Sequence, residues 1–160
     1  MAITDGARCI RLFLQSIFPE GLFILLDWYH LQQKVTGLLT MISPNKEEKQ
    51  EHILKINAFL WQGQVEQAST YLKTITQVRN VNKQQELLSY LDKHQSEIID
   101  YQTRQKAGKP IGSGRGEKAN DRVVAHRQKK KGMSWSKKGS RALAILKVDQ
   151  INQQLYTKVA

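Results

Sequence analysis

Cysteine is nearly missing from this sequence: Cys9 stands alone among 160 residues, which excludes a disulfide framework and any cysteine-based metal knuckle. A reducing, cytoplasmic setting is the expectation. Proline is scarce too, at three residues, while hydrophobic residues make up 40%; that balance suits a folded chain rather than a disordered one. No apolar run approaches the length of a bilayer span, and the longest, Gly21-Leu-Phe-Ile-Leu-Leu26, is strand-sized. The opening residues contain no charged region followed by an apolar stretch, so nothing reads as a signal peptide. The length allows one domain with a modest core.

Acidic residues are missing from one part of the chain in particular. Residues 1–100 carry 10 Lys and Arg against 11 Asp and Glu, a balance of −1, whereas residues 101–160 carry 15 against 3, a balance of +12. A segment that basic repels itself unless a polyanion or solvent takes up the charge. Nucleic acid is the leading partner, and an anionic membrane surface a distant second; a solvated cationic face is the plain alternative.

Periodicity organises the rest. Met1-Ala-Ile-Thr4 reads as the tail of a buried strand, and Ile10, Phe13, Leu14 and Ile17 recur at helical spacing. Leu22–Trp28 is expected to be a strand buried on both faces, followed by a helix over Tyr29–Met41 that closes at Ser43-Pro44. From residue 45 to 105 every segment has helical character, with stripes at Ile53, Ile56 and Leu60, at Ala68, Leu72 and Ile75, and at Leu87, Leu91, His94 and Ile98. Gly63 and Asn80-Val-Asn82 are the natural breaks. A Gly-rich basic connection then leads to a helix over Arg115–Lys131 with Ser113 as its N-cap, a break at Gly132-Met-Ser-Trp-Ser136, and a last helix over Lys137–Val148. The reading is α/β but predominantly helical: 1–44 a sheet region with flanking helices, 45–105 a helical insertion, 106–160 a C-terminal helical segment with a basic tail.

Three carboxylates stand where a sheet-based metal site would want them. Asp5 follows the first strand, Asp27 ends the second, and Glu117 lies in the first turn of a helix after the Gly-rich loop. Carboxylates at strand ends and helix starts can converge at the edge of an open α/β sheet. Hard oxygen ligands without a Cys or His cluster point to Mg²⁺ or Mn²⁺ rather than zinc. Singly, each has a plain reading: Asp5-Gly6 as a turn, Glu117 as a favourable helix-dipole contact.

The wording around these residues carries a resemblance. Asp5-Gly-Ala7, Leu26-Asp-Trp-Tyr-His-Leu31, Ile111-Gly-Ser-Gly114 with Glu117 and Asn120, Arg127-Gln-Lys129 and Gly132-Met-Ser-Trp135 together resemble the C-terminal signature of bacterial insertion-sequence DDE transposases of the Kra type. The resemblance covers nearly the whole chain. It implies an RNase H-like fold with a helical insertion, and Mg²⁺-dependent cleavage and strand transfer of DNA. Asp5 then corresponds to the second catalytic aspartate and Glu117 to the final glutamate, both holding metal, with Asp27, His30 and Asn120 in positioning roles. His30 reads equally well as a hydrogen-bonded histidine at a helix start.

The departure is the first aspartate of that family, which sits on an earlier strand; only four residues precede Asp5. The expectation is therefore a remnant of an RNase H-like fold with one or two strands, inactive alone and doubtful as a metal binder. Its open sheet edge would favour a homo-oligomer or a complementing N-terminal transposase fragment. Arg115, Lys118, Arg122, His126 and Lys129 follow spacings of three or four and would share one helical face. Arg127, Lys130, Lys131, Lys137 and Lys138 extend the charge, and such a line neutralises phosphates with little base preference. A noncatalytic basic nucleic-acid-binding protein derived from a transposase is the alternative.

Overall fold

In the computed structural model, residues 1–130 and 132–156 are described, and they form two compact units, Met1–Ser113 and a second beginning at Gly114. Most of the described residues are helical, and no described helix is long and apolar enough to cross a membrane. The first unit opens with strand β1 (Ala2–Thr4), helix α1 (Arg8–Ile17) and strand β2 (Ile24–Leu26). The two strands pair in parallel, with Thr4 opposite Leu26.

The second strand is shorter than its apolar run. Trp28 belongs not to the strand but to helix α2 (Trp28–Ile42), because Asp27 caps that helix by accepting hydrogen bonds from the Tyr29 and His30 N–H groups. Leu25 and Leu26 are buried, whereas Phe23 is exposed, so burial on both faces extends to two residues of the run and not to its start. The apolar spacing of α2 (Trp28, Leu31, Val35, Leu38, Leu39, Ile42) turns one side of it wholly inward.

Helices α3 (Lys46–Trp61) and α5 (Val81–Lys93) pack on α2, and α4 (Val65–Thr74) packs on α3 and α5. Each start is set by a short polar side chain or a turn: Asn45 caps α3 at the Glu48 N–H, 2.8 Å away, and Asn80 caps α5 at the Lys83 N–H, 3.1 Å away. The stripes read from the sequence are the core: Ile56, Leu60, Ala68, Leu72, Ile75, Leu87, Leu91 and Ile98 are buried, and Ile53 is partly so. The third stripe is not one helix, since α5 ends at Lys93 and a 3₁₀ turn covers Gln95–Glu97. Helix α6 (Tyr101–Lys106), capped by Asp100, places Tyr101 in the core, where its hydroxyl donates to the Leu26 carbonyl at 2.8 Å.

Helix α1 is amphipathic, yet none of its residues is buried; Phe13 and Ile17 are exposed, as is Phe18 just beyond. The apolar stripe read there thus has no cover within the first unit.

The second unit is a helical hairpin. Its first arm is α7 (Gly114–Asn120), a π-helical segment (Asp121–Ala125) and α8 (His126–Gln128), and its second is α9 (Lys137–Tyr156), two turns longer than its apolar pattern. Gln128 joins the arms: its amide donates to the Ser140 carbonyl at 3.0 Å and accepts from the Ser140 hydroxyl at 2.5 Å. Trp135 is exposed. No described residue of this unit is buried.

Candidate functional site

The register of the parallel pair decides where the first two carboxylates go. With Thr4 opposite Leu26, the next residues, Asp5 and Asp27, leave the same edge of the sheet, and the Asp27 N–H donates to the Thr4 carbonyl at 2.7 Å. This is the carboxyl end of the strands, where open α/β sheets bind ligands.

Asp5 is exposed, and its Oδ1 accepts the Ala7 N–H at 2.9 Å. The turn continues through Gly6, whose φ of +81° suits glycine. Space demands it as well: a Cβ there would lie 3.0 Å from both His94 Cε1 and Leu26 Cδ1. His94 is 2% exposed. Its Nδ1 lies 2.6 Å from Glu97 Oε2, and Glu97 Oε1 meets Arg11 Nη2 at 2.5 Å. Helix α1 is thereby tied to the end of α5, and the Asp5-Gly6 turn rests on the His94 ring. The sequence placed His94 on an apolar stripe; its burial follows that pattern, but its partners lie outside it. His94 and Glu97 are three apart, a readable spacing, whereas Arg11 is 83 residues from His94 and carries no local signal.

Asp5 and His30 line one cavity of about 480 Å³, together with Lys34, Lys83, Glu86 and Tyr90. Glu86 accepts from Lys34 at 2.8 Å and Lys83 at 2.7 Å, and those two ammonium groups hold its carboxyl down at about 2. Burial, with the charges of Glu97 and Asp5, pushes the Tyr90 hydroxyl up to about 12, so it remains a phenol and a donor at neutral pH. Asp5 is the carboxylate of this lining that is not bonded to a lysine.

Asp27 is arranged differently. It is 2% exposed. Its Oδ1 accepts the Tyr29 N–H at 2.7 Å and the His30 N–H at 3.1 Å, and its Oδ2 accepts the Ser113 N–H at 2.5 Å. Burial raises the carboxyl's pKa; the bonds from Ser113, His30 and Tyr29 outweigh it and leave it below the ordinary 3.8. His30 Nδ1 lies 3.5 Å from Oδ1, a pairing that is ionic only when the ring is protonated. Trp28 is a core residue, its ring edge-on to Trp61 at 4.8 Å and tilted against Tyr101 at 5.1 Å.

The loop over residues 111–113 is therefore docked onto the start of α2. Besides the Ser113 bond, the Trp28 N–H donates to the Ile111 carbonyl at 3.1 Å. Gly112 permits the approach, since a Cβ on it would lie 2.8 Å from the Tyr29 ring. With its oxygens accepting three backbone N–H groups, Asp27 positions this loop.

In the second unit Glu117 occupies the first turn of α7, and Asn120 ends that helix; both are exposed. The basic residues do not follow one straight face. Arg115, Lys118 and Arg122 line a groove of about 440 Å³, while Arg122, His126, Arg127 and Lys130 line a second of about 800 Å³. The wider π turn between Asp121 and Ala125 shifts the phase of everything after it. Ala119 and Val123 line the first groove with Val148 and Ile151. Lys129, Lys137 and Lys138 are exposed, and Lys131 lies outside the described residues.

No curated protein and no solved structure matches this sequence. A protein-family match spans residues 1–160: the chain belongs to the Uncharacterised protein family (UPF0236).

Proposed function

We propose that this chain is the C-terminal part of a DDE-type transposase of RNase H-like ancestry, handling duplex DNA through its second unit and contributing Asp5 and Glu117 to a divalent-metal site. The observation that carries the reading is the shared sheet edge of Asp5 and Asp27, with the Ile111–Ser113 segment hydrogen-bonded onto Asp27 across 86 residues. The docked loop leads along the chain to Glu117, four residues after Ser113. Asp5 is exposed and offers hard oxygen to Mg²⁺ or Mn²⁺. When bound, such ions activate the attacking oxygen and stabilise the leaving one in phosphodiester chemistry. The protein's own part is to hold Asp5 by the Gly6–His94 contact, to hold the loop by Asp27, and to hold DNA by cationic side chains.

The second reading, a noncatalytic nucleic-acid-binding protein, is favoured by the charge of the second unit, 12 Lys and Arg against 3 Asp and Glu. One pair of measurements separates the two. Duplex binding should weaken steeply with salt, by about 0.9 log units per phosphate contact per log unit of salt, and replacing Arg115, Lys118 and Arg122 together should flatten the slope by about three contacts. An unchanged slope removes these residues from the DNA surface. In the DNA complex, Asp5→Asn and Glu117→Gln should each weaken Mn²⁺ binding by about tenfold, read by electron paramagnetic resonance. If both variants bind Mn²⁺ like the wild type while DNA binding persists, the second reading stands.

A further inference from the structure

We infer that the groove between α7 and α9 is a binding site for an unstacked nucleotide of single-stranded DNA, a ligand that phosphate contacts alone would not distinguish from duplex. The inference rests on the DNA-handling reading and sharpens it. Three observations meet in this groove. Its walls are mixed: Arg115, Lys118 and Arg122 bring three cations, while Val123, Val148 and Ile151 bring an aliphatic floor. Its volume, about 440 Å³, lies in the range that holds a small organic ligand. Arg122 and Val123 belong to a π-helical segment, a wider turn that recurs at functional sites.

The charge pattern selects the occupant. A duplex presents phosphates outward and keeps its bases stacked, so it would meet the cations and leave the aliphatic floor wet. A single strand offers both at once, an anionic backbone and an apolar base face that can be turned inward. Val148 is 43% exposed, so the floor is open to solvent and unfilled by the protein's own side chains. The Gln128–Ser140 tie fixes the hairpin at one end, and the groove lies towards the other, between residues 115–123 and 148–152. The second groove shares Arg122, Val123 and Ile151 with the first, so a strand leaving one has a cationic path into the other along Arg127 and Lys130.

The test is fluorescence anisotropy with a labelled oligothymidylate and a labelled duplex of equal length at one salt concentration, using the full chain. The single strand should bind about tenfold more tightly than the duplex, the scale of one base contact. Ala119→Leu, at an exposed position lining the groove, should fill it without offering an aromatic face and abolish that advantage while leaving duplex binding unchanged. Val148→Glu, in the aliphatic floor, should reduce single-strand binding further by setting a carboxylate against the cations. Equal affinity for the two DNA forms, or an advantage that survives both substitutions, overturns the inference and leaves the duplex reading intact. Loss of all DNA binding in the wild type overturns both. Binding of phosphatidylglycerol vesicles that Ala119→Leu abolishes, with no preference for single-stranded DNA, would instead assign the groove to lipid.

Discussion

The two units handle their side chains in opposite ways. Met1–Ser113 carries 13 Lys and Arg against 11 Asp and Glu and buries a continuous apolar core around α2, from Leu26 to Ile111. The unit from Gly114 carries 12 against 3, and none of its described residues is buried. The first has what a stable scaffold needs, while the second is organised by two helices, one amide–hydroxyl tie and like charges that favour an anionic partner. Stability therefore resides in the first unit, and the excess of positive charge in the second.

The largest effect expected from that contrast comes from truncating one apolar residue in each. Leu31→Ala, at a fully buried site, should cost about 3–4 kcal/mol in urea denaturation. Ile145→Ala, at a site 59% exposed, should cost less than about 0.5 kcal/mol. Similar costs at both sites would mean that the second unit has a core of its own.

Next in size is Asp27→Ala, which removes a helix cap and leaves three N–H groups without their acceptor, at a cost of about 2–3 kcal/mol. This effect has a pH signature. Because the folded carboxyl titrates below 3.8, its contribution is present above that value and is lost as pH falls through the lower folded value. Wild-type stability should thus decline below about pH 4 more steeply than that of Asp27→Asn, measured by thermal denaturation across that window. Parallel curves would contradict the charge-based account of the loop.

A smaller loss, about 1–2 kcal/mol, is expected for Gly112→Ala, whose Cβ would press on the Tyr29 ring. Because Tyr29 is 61% exposed, Tyr29→Ala should relieve most of it. A double-mutant cycle showing no coupling between the two would place the strain elsewhere.

The helical module was legible because burial in a helix repeats every three or four residues, and Ile56, Leu60, Leu72, Leu87 and Leu91 obey that repeat in the sequence and in the core. The Leu22–Trp28 run misled at both ends, since apolar continuity does not distinguish a strand from the first turn of a buried helix. The distinguishing signal was Asp27, a strong N-cap residue directly before α2, which also explains why its carboxylate is engaged by backbone. The edge shared by Asp5 and Asp27 could be read from their positions after two short apolar segments. The Arg11–Glu97–His94 contacts could not, because the partners meet only after the intervening helices have packed. Nor could the π turn, whose change of phase divides a basic stripe that looks continuous on an ideal helical wheel.

The bond between Asp27 and Ser113 closes a loop of 86 residues. For a disordered segment of that length, closure would cost about 4 kcal/mol in chain entropy beyond a constant term. The segment is not disordered when the bond forms, provided α2 to α6 pack first from contacts between neighbours in sequence. Local pairing shortens the effective loop to the few residues between the packed helices and the two bonded segments. The order of events is then built into the topology: the helical module assembles early, and the loop that carries the chain into its basic unit is latched last.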